Sequence, residues 1–327
     1  MAFRFKLGEP FDEGFRRIAL EQVERAKALL QDDGREAIAV HETRKSLKRL
    51  RALLRLVRPA IGADAFSREN AQLRDIGLSL SGARDRHVLF ETANKLDAAG
   101  LLGRRGIADK LRQSILAVNG DADGNGPPPA LRGATERLTE AGVRLVELPM
   151  VGGAFDVVGK GLEASYRRAR RAFRAAYEEG TDEAFHNWRK GAQRHWRQMA
   201  LLSRAWPAYL DARVQEARAL SQQLGDDHDL AMLTAFVHSD SAGPLNGEAV
   251  AVIEAAARQR QQELRLAARP RGDRLFADKP RRLRRNIQTY WDAAVGLKEL
   301  EREAVVAAPK RRRQAPVRRR TPATPKV

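Results

Sequence analysis

One pattern occurs twice in this chain and constrains its architecture more than any other feature. VHETRKSLKRL at 40–50 returns as FHNWRKGAQRH at 185–195, pairing His41 with His186, Arg44 with Arg189, Lys45 with Lys190 and Arg49 with Arg194 at an offset of 145. A second pair follows in the same order. LSGARDRHVL at 80–89 aligns with LGDDHDLAML at 224–233, setting Asp85 against Asp229 and Leu89 against Leu233 at an offset of 144. Two motifs in one order at nearly one spacing predict two related halves.

Each half reads as helix. Ala, Leu, Arg and Glu are abundant, β-branched runs are scarce, and apolar residues recur at three and four. This periodicity predicts helices near 11–31, 35–57, 64–81, 84–99, 105–118, 131–147, 156–179, 182–204, 208–224, 227–239, 246–268 and 278–296. The expected fold class is therefore all-α, built as two pseudo-symmetric helical bundles. The stretch DADGNGPPPALRG at 121–133 must break the chain. It divides a first half, 1–120, from a second, 134–300. Residues 301–327, ending in AAPKRRRQAPVRRRTPATPKV, are too polar and proline-rich to fold alone and are expected to form a disordered basic tail.

Charge narrows the function classes. The net charge is +18, of which +8 lies in the last eighteen residues and +10 in residues 1–309, so both parts attract polyanions. Lysine supplies 12 of the 60 basic residues, which favours the planar arginine fork that grips phosphate through two hydrogen bonds. With no cysteine, disulfides, zinc–thiolate sites and cysteine nucleophiles are excluded. The opening MAFRFKLGEPFDEG has acids where a signal peptide needs an apolar core, and no stretch of 18 uncharged apolar residues occurs. A cytoplasmic protein without a membrane span is expected.

On a helix that turns about 100° per residue, Leu47, Leu50, Leu53, Leu54 and Val57 share one arc, opposite His41. That arc is the predicted core face. His41, Arg44, Lys45, Lys48, Arg51 and Arg55 fall on the other side, in a ridge about 20 Å long at 1.5 Å per residue. In the second copy, His186, Arg189, Lys190, Gln193 and Arg197 share a face, while Trp188, Ala192, Met199 and Leu202 point largely away. A solvated helix mixes signs so that Glu and Lys pair at i,i+4, yet no acid occurs between 43 and 63. Like charges at this spacing repel, and an extended polyanion along the ridge relieves the repulsion. Histidine suits such a place because it donates a hydrogen bond when neutral and turns cationic beside a phosphate.

The paired aspartates leave three readings open. Asp85 and Asp229 lie near predicted helix starts, where a carboxylate caps or serves the first turn. Either could also bind a ligand directly or orient the histidine and arginines. A metal-dependent phosphohydrolase is an alternative class, with His228 among Asp226, Asp227 and Asp229 and His87 near Asp85 as ligands. Against it, there is no HExxH, no glycine-rich phosphate loop and no nucleophile elbow. Zinc on the paired histidines is disfavoured by the surrounding cations. Nonspecific nucleic-acid binding is a third class, with Trp188 and Trp196 as the interleaved aromatics and the tail as the source of weak DNA contact.

At these residues the chain resembles the CHAD family, the conserved histidine α-helical domain. The resemblance rests on HxxRKxxKRLR at 41–51, HxWRKxxQRHW at 186–196, LGDDHDL at 224–230 and LFADKPRRLRRNIQTYW at 275–291, and spans about Phe3 to Val295. It implies two helical bundles meeting around a basic cavity. It also implies non-catalytic binding of inorganic polyphosphate, often at polyphosphate granules, with no cofactor. The implied ligands are His41, Arg44, Lys48, Arg49 and Arg51 in the first half and His186, Arg189, Lys190 and Arg194 in the second. This chain departs from the family at Gln193 and Trp196, where basic residues are usual, so a weaker second ridge is expected, with Arg197 compensating. The triphosphate tunnel enzyme often fused ahead of such modules is marked by ExExK, and the N-terminus here reads FRFKLGEP.

Overall fold

The computed structural model describes residues 3–31, 36–80, 82–103, 106–117, 129–152, 154–243 and 245–307. Among them the chain forms eleven α-helices and no strand, as the periodicity requires. The helices are α1 (Phe11–Leu30), α2 (Glu36–Ile61), α3 (Ala63–Ser79), α4 (Gly82–Ala98), α5 (Ile107–Ala117) and α6 (Pro129–Glu147). They continue as α7 (Asp156–Glu179), α8 (Asp182–Leu202), α9 (Pro207–Val237), α10 (Gly247–Leu275) and α11 (Pro280–Ala307). No helix among the described residues is long and apolar enough to cross a membrane.

The two helices that carry the repeated motif, α2 and α8, both pack on α7, and small residues let the backbones close. A Cβ on Gly161 of α7 would stand 1.8 Å from the Leu56 carbonyl oxygen and 2.9 Å from that of Arg55. Pro59 removes the amide that would bond the Arg55 carbonyl within α2. That freed carbonyl lies where Gly161 closes on the helix. Two turns further along α7, a Cβ on Gly191 of α8 would lie 2.9 Å from the Ala169 Cα. Gln198, fully buried on α8, ties the three helices, its Nε2 donating to the Ala52 carbonyl of α2 at 3.4 Å and to Ser165 Oγ of α7 at 3.1 Å.

Two apolar cores result. The larger joins α1, α2, α3, α6, α7, α8 and α11 with the first part of α9 and the end of α10. The smaller joins α4 and α5 to the second part of α9 and to α10, through Leu96, Leu111, Leu230, Leu233 and Ile253. The sequence predicts a break between residues 224 and 227, whereas α9 is a single helix of 31 residues, about 46 Å long. Burial explains the difference. Leu220 and Leu224 face the larger core and Leu230 and Leu233 the smaller, so apolar contact carries the helix through Gly225. Asp229 therefore lies inside a helix and caps nothing. Helices α2 and α10 likewise run past Pro59 and Pro270, where the periodicity stops.

The C-terminal end of α10 shows how the orphan carbonyls of a helix are satisfied inside a core. Tyr166 Oη and Arg213 Nη2 donate to the Leu275 carbonyl at 3.0 and 2.6 Å, and Arg170 Nε donates to that of Phe276 at 2.9 Å. Of the predicted linker, residues 121–128 lie outside the described residues, and α6 begins at Pro129. The predicted tail is helical over 301–307, and 308–327 lie outside the described residues.

Gly161→Ala forces a methyl into the α2 backbone and is expected to cost about 3 kcal/mol or more. Gly77→Ala, whose new Cβ would meet only Leu47 Cδ1 at 3.7 Å, is expected to stay within about 1 kcal/mol of wild type. Urea midpoints of both variants check the contrast.

Candidate polyanion-binding surface

The basic faces of α2 and α8 are held by the cores behind them. Leu47, Leu50, Leu53, Leu54 and Val57 are buried on α2, as are Trp188, Ala192, Met199 and Leu202 on α8. Helix α8 begins with Thr181 Oγ1 accepting from the Ala184 amide at 3.2 Å, and Asp182 and Glu183 complement its N-terminal dipole. His186, Arg189, Lys190 and Arg194 follow from that fixed start.

Packing of α2 and α8 on α7 gathers arginines on one flank. Burial, then Arg194, Arg51, Arg168 and Arg58, pulls the Arg55 guanidinium down to about 10. Burial, then Arg168 and Arg51, does the same to Arg194, also to about 10. The charged neighbours acting on these two groups are all arginines. Arg51 donates from Nε to Asn70 Oδ1 at 3.1 Å, and Arg55 and Arg58 lie over the Phe66 ring at 5.2 and 5.0 Å, so α3 orients this cluster from below. Arg51, Arg55 and Arg194 were expected from the sequence. Arg58 and Arg168 were not: Arg168 sits in YRRARRAFR of α7, an arginine run with no second copy to single it out.

A second cluster forms around Arg197. This residue is only 7% exposed, and burial, followed by Arg49 and Arg218, pulls it down to about 9. Its guanidinium lies 4.2 Å from the Trp196 ring centre, and Nη1 donates to the Gln193 carbonyl at 2.8 Å. The two residues at which the chain departs from the CHAD pattern it resembles thus frame Arg197. Arg49 donates to Gln22 Oε1 at 3.3 Å and lies over Phe3, and burial followed by Arg25 lowers its guanidinium. Arg25 on α1 and Arg218 on α9 join only through the tertiary fold.

The start of the α2 ridge is less bare than the 43–63 stretch suggests. Glu42 takes Lys45 and Arg25 as ion-pair partners. Arg44 Nη1 donates to the Gly77 carbonyl at 2.8 Å, while His41 and Lys48 are half-buried.

His186 finds a ring partner on α9. Its ring stacks on His228 of α9, with centres 4.1 Å apart and planes 28° apart. Gly225 makes room alongside, where a Cβ would lie 3.7 Å from Arg189 Nη2. Burial lowers His186, as do Lys190 and Arg189, and Glu183 opposes them. Burial, Arg189, His186 and Lys190 push His228 down to about 4 against the pull of Asp182. Lys190 is exposed and donates to Asn187 Oδ1 at 3.4 Å. Both imidazoles are therefore neutral near pH 7, in a positive field.

The acidic motif disperses instead of converging. Asp226 accepts from Lys95 Nζ of α4 at 2.7 Å. Asp227, 2% exposed, accepts from Arg265 Nε of α10 at 2.7 Å, and burial raises its carboxyl. His228 turns to His186. Among the described residues no group of three or more His, Asp or Glu is placed to hold a metal ion. The Asp85 side chain lies outside the described residues. Of the two interleaved tryptophans, Trp188 is wholly buried and Trp196 lies under Arg197.

A family model described as CHAD domain matches residues 17–238, from within α1 to the residue after α9 and through both motif copies. The match is narrower than the resemblance of about Phe3 to Val295, leaving α10 and α11 outside it. No curated protein matches the chain.

The histidines predict an acid dependence. A histidine whose folded pKa is depressed contributes stability that is full above its ordinary 6.5 and is lost as pH falls toward the folded value. His195, fully buried and held well below 6.5, adds to His186 and His228. The urea midpoint is expected to fall from pH 7 to about pH 4.5, and His228→Gln to shrink the fall. A flat wild-type profile contradicts this.

Proposed function

The chain belongs to the CHAD family, and from that premise we propose that it binds inorganic polyphosphate, without catalysis, along the basic faces of α2 and α8. The ligand set is His41, Arg44, Lys45, Lys48, Arg49, Arg51 and Arg55 from α2 with His186, Arg189, Lys190, Arg194 and Arg197 from α8. Arg58 and Arg168 complete one flank and Arg25 and Arg218 the other. The observation that carries this reading is the pair of arginine clusters at the α2–α8 seam, where the charged groups acting on Arg55, Arg194 and Arg197 are all further arginines.

Like charges crowded in a half-buried place cost folding energy, and a ligand that supplies the missing anions recovers it. The clusters are separate and the ridges long, so one compact anion satisfies only part of the surface. A chain of phosphates satisfies it in sequence, each pair of oxygens meeting a guanidinium fork. Neutral His186 and His228 donate hydrogen bonds or take up protons as phosphate approaches. Base stacking has less support, because Trp188 is wholly buried and Trp196 is half-buried against Arg197. Association with polyphosphate granules follows from the same affinity.

Titration with long-chain polyphosphate at two salt concentrations tests the reading. Replacing Arg55 and Arg194 together by Ala is expected to weaken binding about 100-fold, from the loss of two charged contacts. Arg274→Ala, on the exposed side of α10, is expected to change little. Unchanged affinity in the double variant contradicts the site, and shortening of the polyphosphate during incubation with divalent metals contradicts a purely binding role.

A further inference from the structure

We propose that the projecting end of α11 is a self-association surface, pairing antiparallel with α11 of a second copy of this chain. Residues 297–304 are exposed at every position, so no face of these two turns is buried against the body. Leu297 and Leu300 are 64% and 63% exposed. Helical turns without tertiary burial are marginal in water. Lys298, whose Nζ donates to the Leu7 carbonyl, supplies one tether.

The face has a regular pattern, half-buried at Tyr290 and exposed from Ala293 onward. Tyr290, Ala293, Leu297, Leu300 and Ala304 follow one another at alternating steps of three and four, the seam spacing of a helix that packs along another helix. The seam is about 21 Å long. Beside its start, Trp206 and Tyr209 are 48% and 39% exposed, with ring centres 5.0 and 5.9 Å from that of Tyr290. Apolar surface is thus continuous from the start of α9 along α11.

Charge selects the occupant. Residues 280–291 carry four arginines and no acid, and residues 292–307 carry four acids and two bases. That order opposes the helix dipole, which favours acids at the N-terminal end and bases at the C-terminal end. An antiparallel copy corrects the mismatch. With Leu297 opposite the second copy's Tyr290, Glu301 and Glu303 come level with the second copy's Arg285, which is exposed, as are Arg281 and Arg282. The acidic half repels nucleic acid and anionic membranes. It is also the part of α11 on which a second copy of net charge +18 meets an excess of acids.

Sedimentation velocity of the full chain without polyanion tests this. The seam is short, so a monomer–dimer equilibrium in the range of about 1 to 100 μM is expected. Leu297→Asp with Leu300→Asp is expected to leave only monomer, with helicity and polyphosphate affinity unchanged. Glu301→Arg with Glu303→Arg is expected to weaken self-association about tenfold, and mixing it with Arg282→Glu, Arg285→Glu is expected to restore a dimer. A wild-type chain that stays monomeric throughout, or a dimer that both double variants leave intact, overturns the proposal.

Discussion

The close approach of α2 and α8 to α7 is the constraint on which the rest depends. Gly161 and Gly191 let the backbones come together with no side chain between them, and Gln198 then bonds to both neighbouring helices from inside the packed seam. Two basic helix faces that would otherwise be separate surfaces become neighbours. Repulsion follows from that proximity: Arg55 and Arg194 share one flank with Arg51, Arg58 and Arg168, while Arg197, Arg49, Arg25 and Arg218 share the other. Core packing on the far sides of the helices, where Trp188, Met199 and Leu53 are wholly buried, holds the arginines together against it.

Fold and charge therefore work against each other in the free protein, as is common where a site is built for a ligand. The chain contains many ordinary ion pairs, among them Arg17 with Glu9 and Arg265 with Asp227, so carboxylates are available. At the seam Glu42 and Asp75 act on Arg49 and Arg51, whereas the charged groups acting on Arg55, Arg194 and Arg197 are arginines. The smaller core contributes from a distance: α9 passes from one core to the other, and Lys95 of α4 and Arg265 of α10 secure the segment that presents His228.

The parts of this arrangement that follow a short period were legible in the sequence. Leucines at three and four marked the buried arc of α2, and the repeat marked α8 as its counterpart. What escaped was tertiary. Nothing local distinguishes Arg168 from the other arginines of α7, or places Arg25 and Arg218 beside Arg49, because these meetings depend on which helices pack together. The break expected between 224 and 227 falls at Gly225 and the acids after it. Burial on two successive cores overrode those signals, and Asp226, Asp227 and His228 went to three different partners. The predicted helix ends at residue 57, whereas α2 runs past Pro59, and the carbonyl that Pro59 frees sits at the glycine contact that joins α2 to α7.

The central claim is that uncompensated positive charge at the α2–α8 seam destabilises the free protein and is relieved by polyphosphate. Urea unfolding of Arg194→Met, with and without polyphosphate, tests it most directly, since methionine keeps much of the side-chain volume and removes the charge. The account predicts a free variant more stable than wild type by about 1 kcal/mol and a smaller stabilisation by polyphosphate. A free variant less stable than wild type, with the full stabilisation retained, would contradict it.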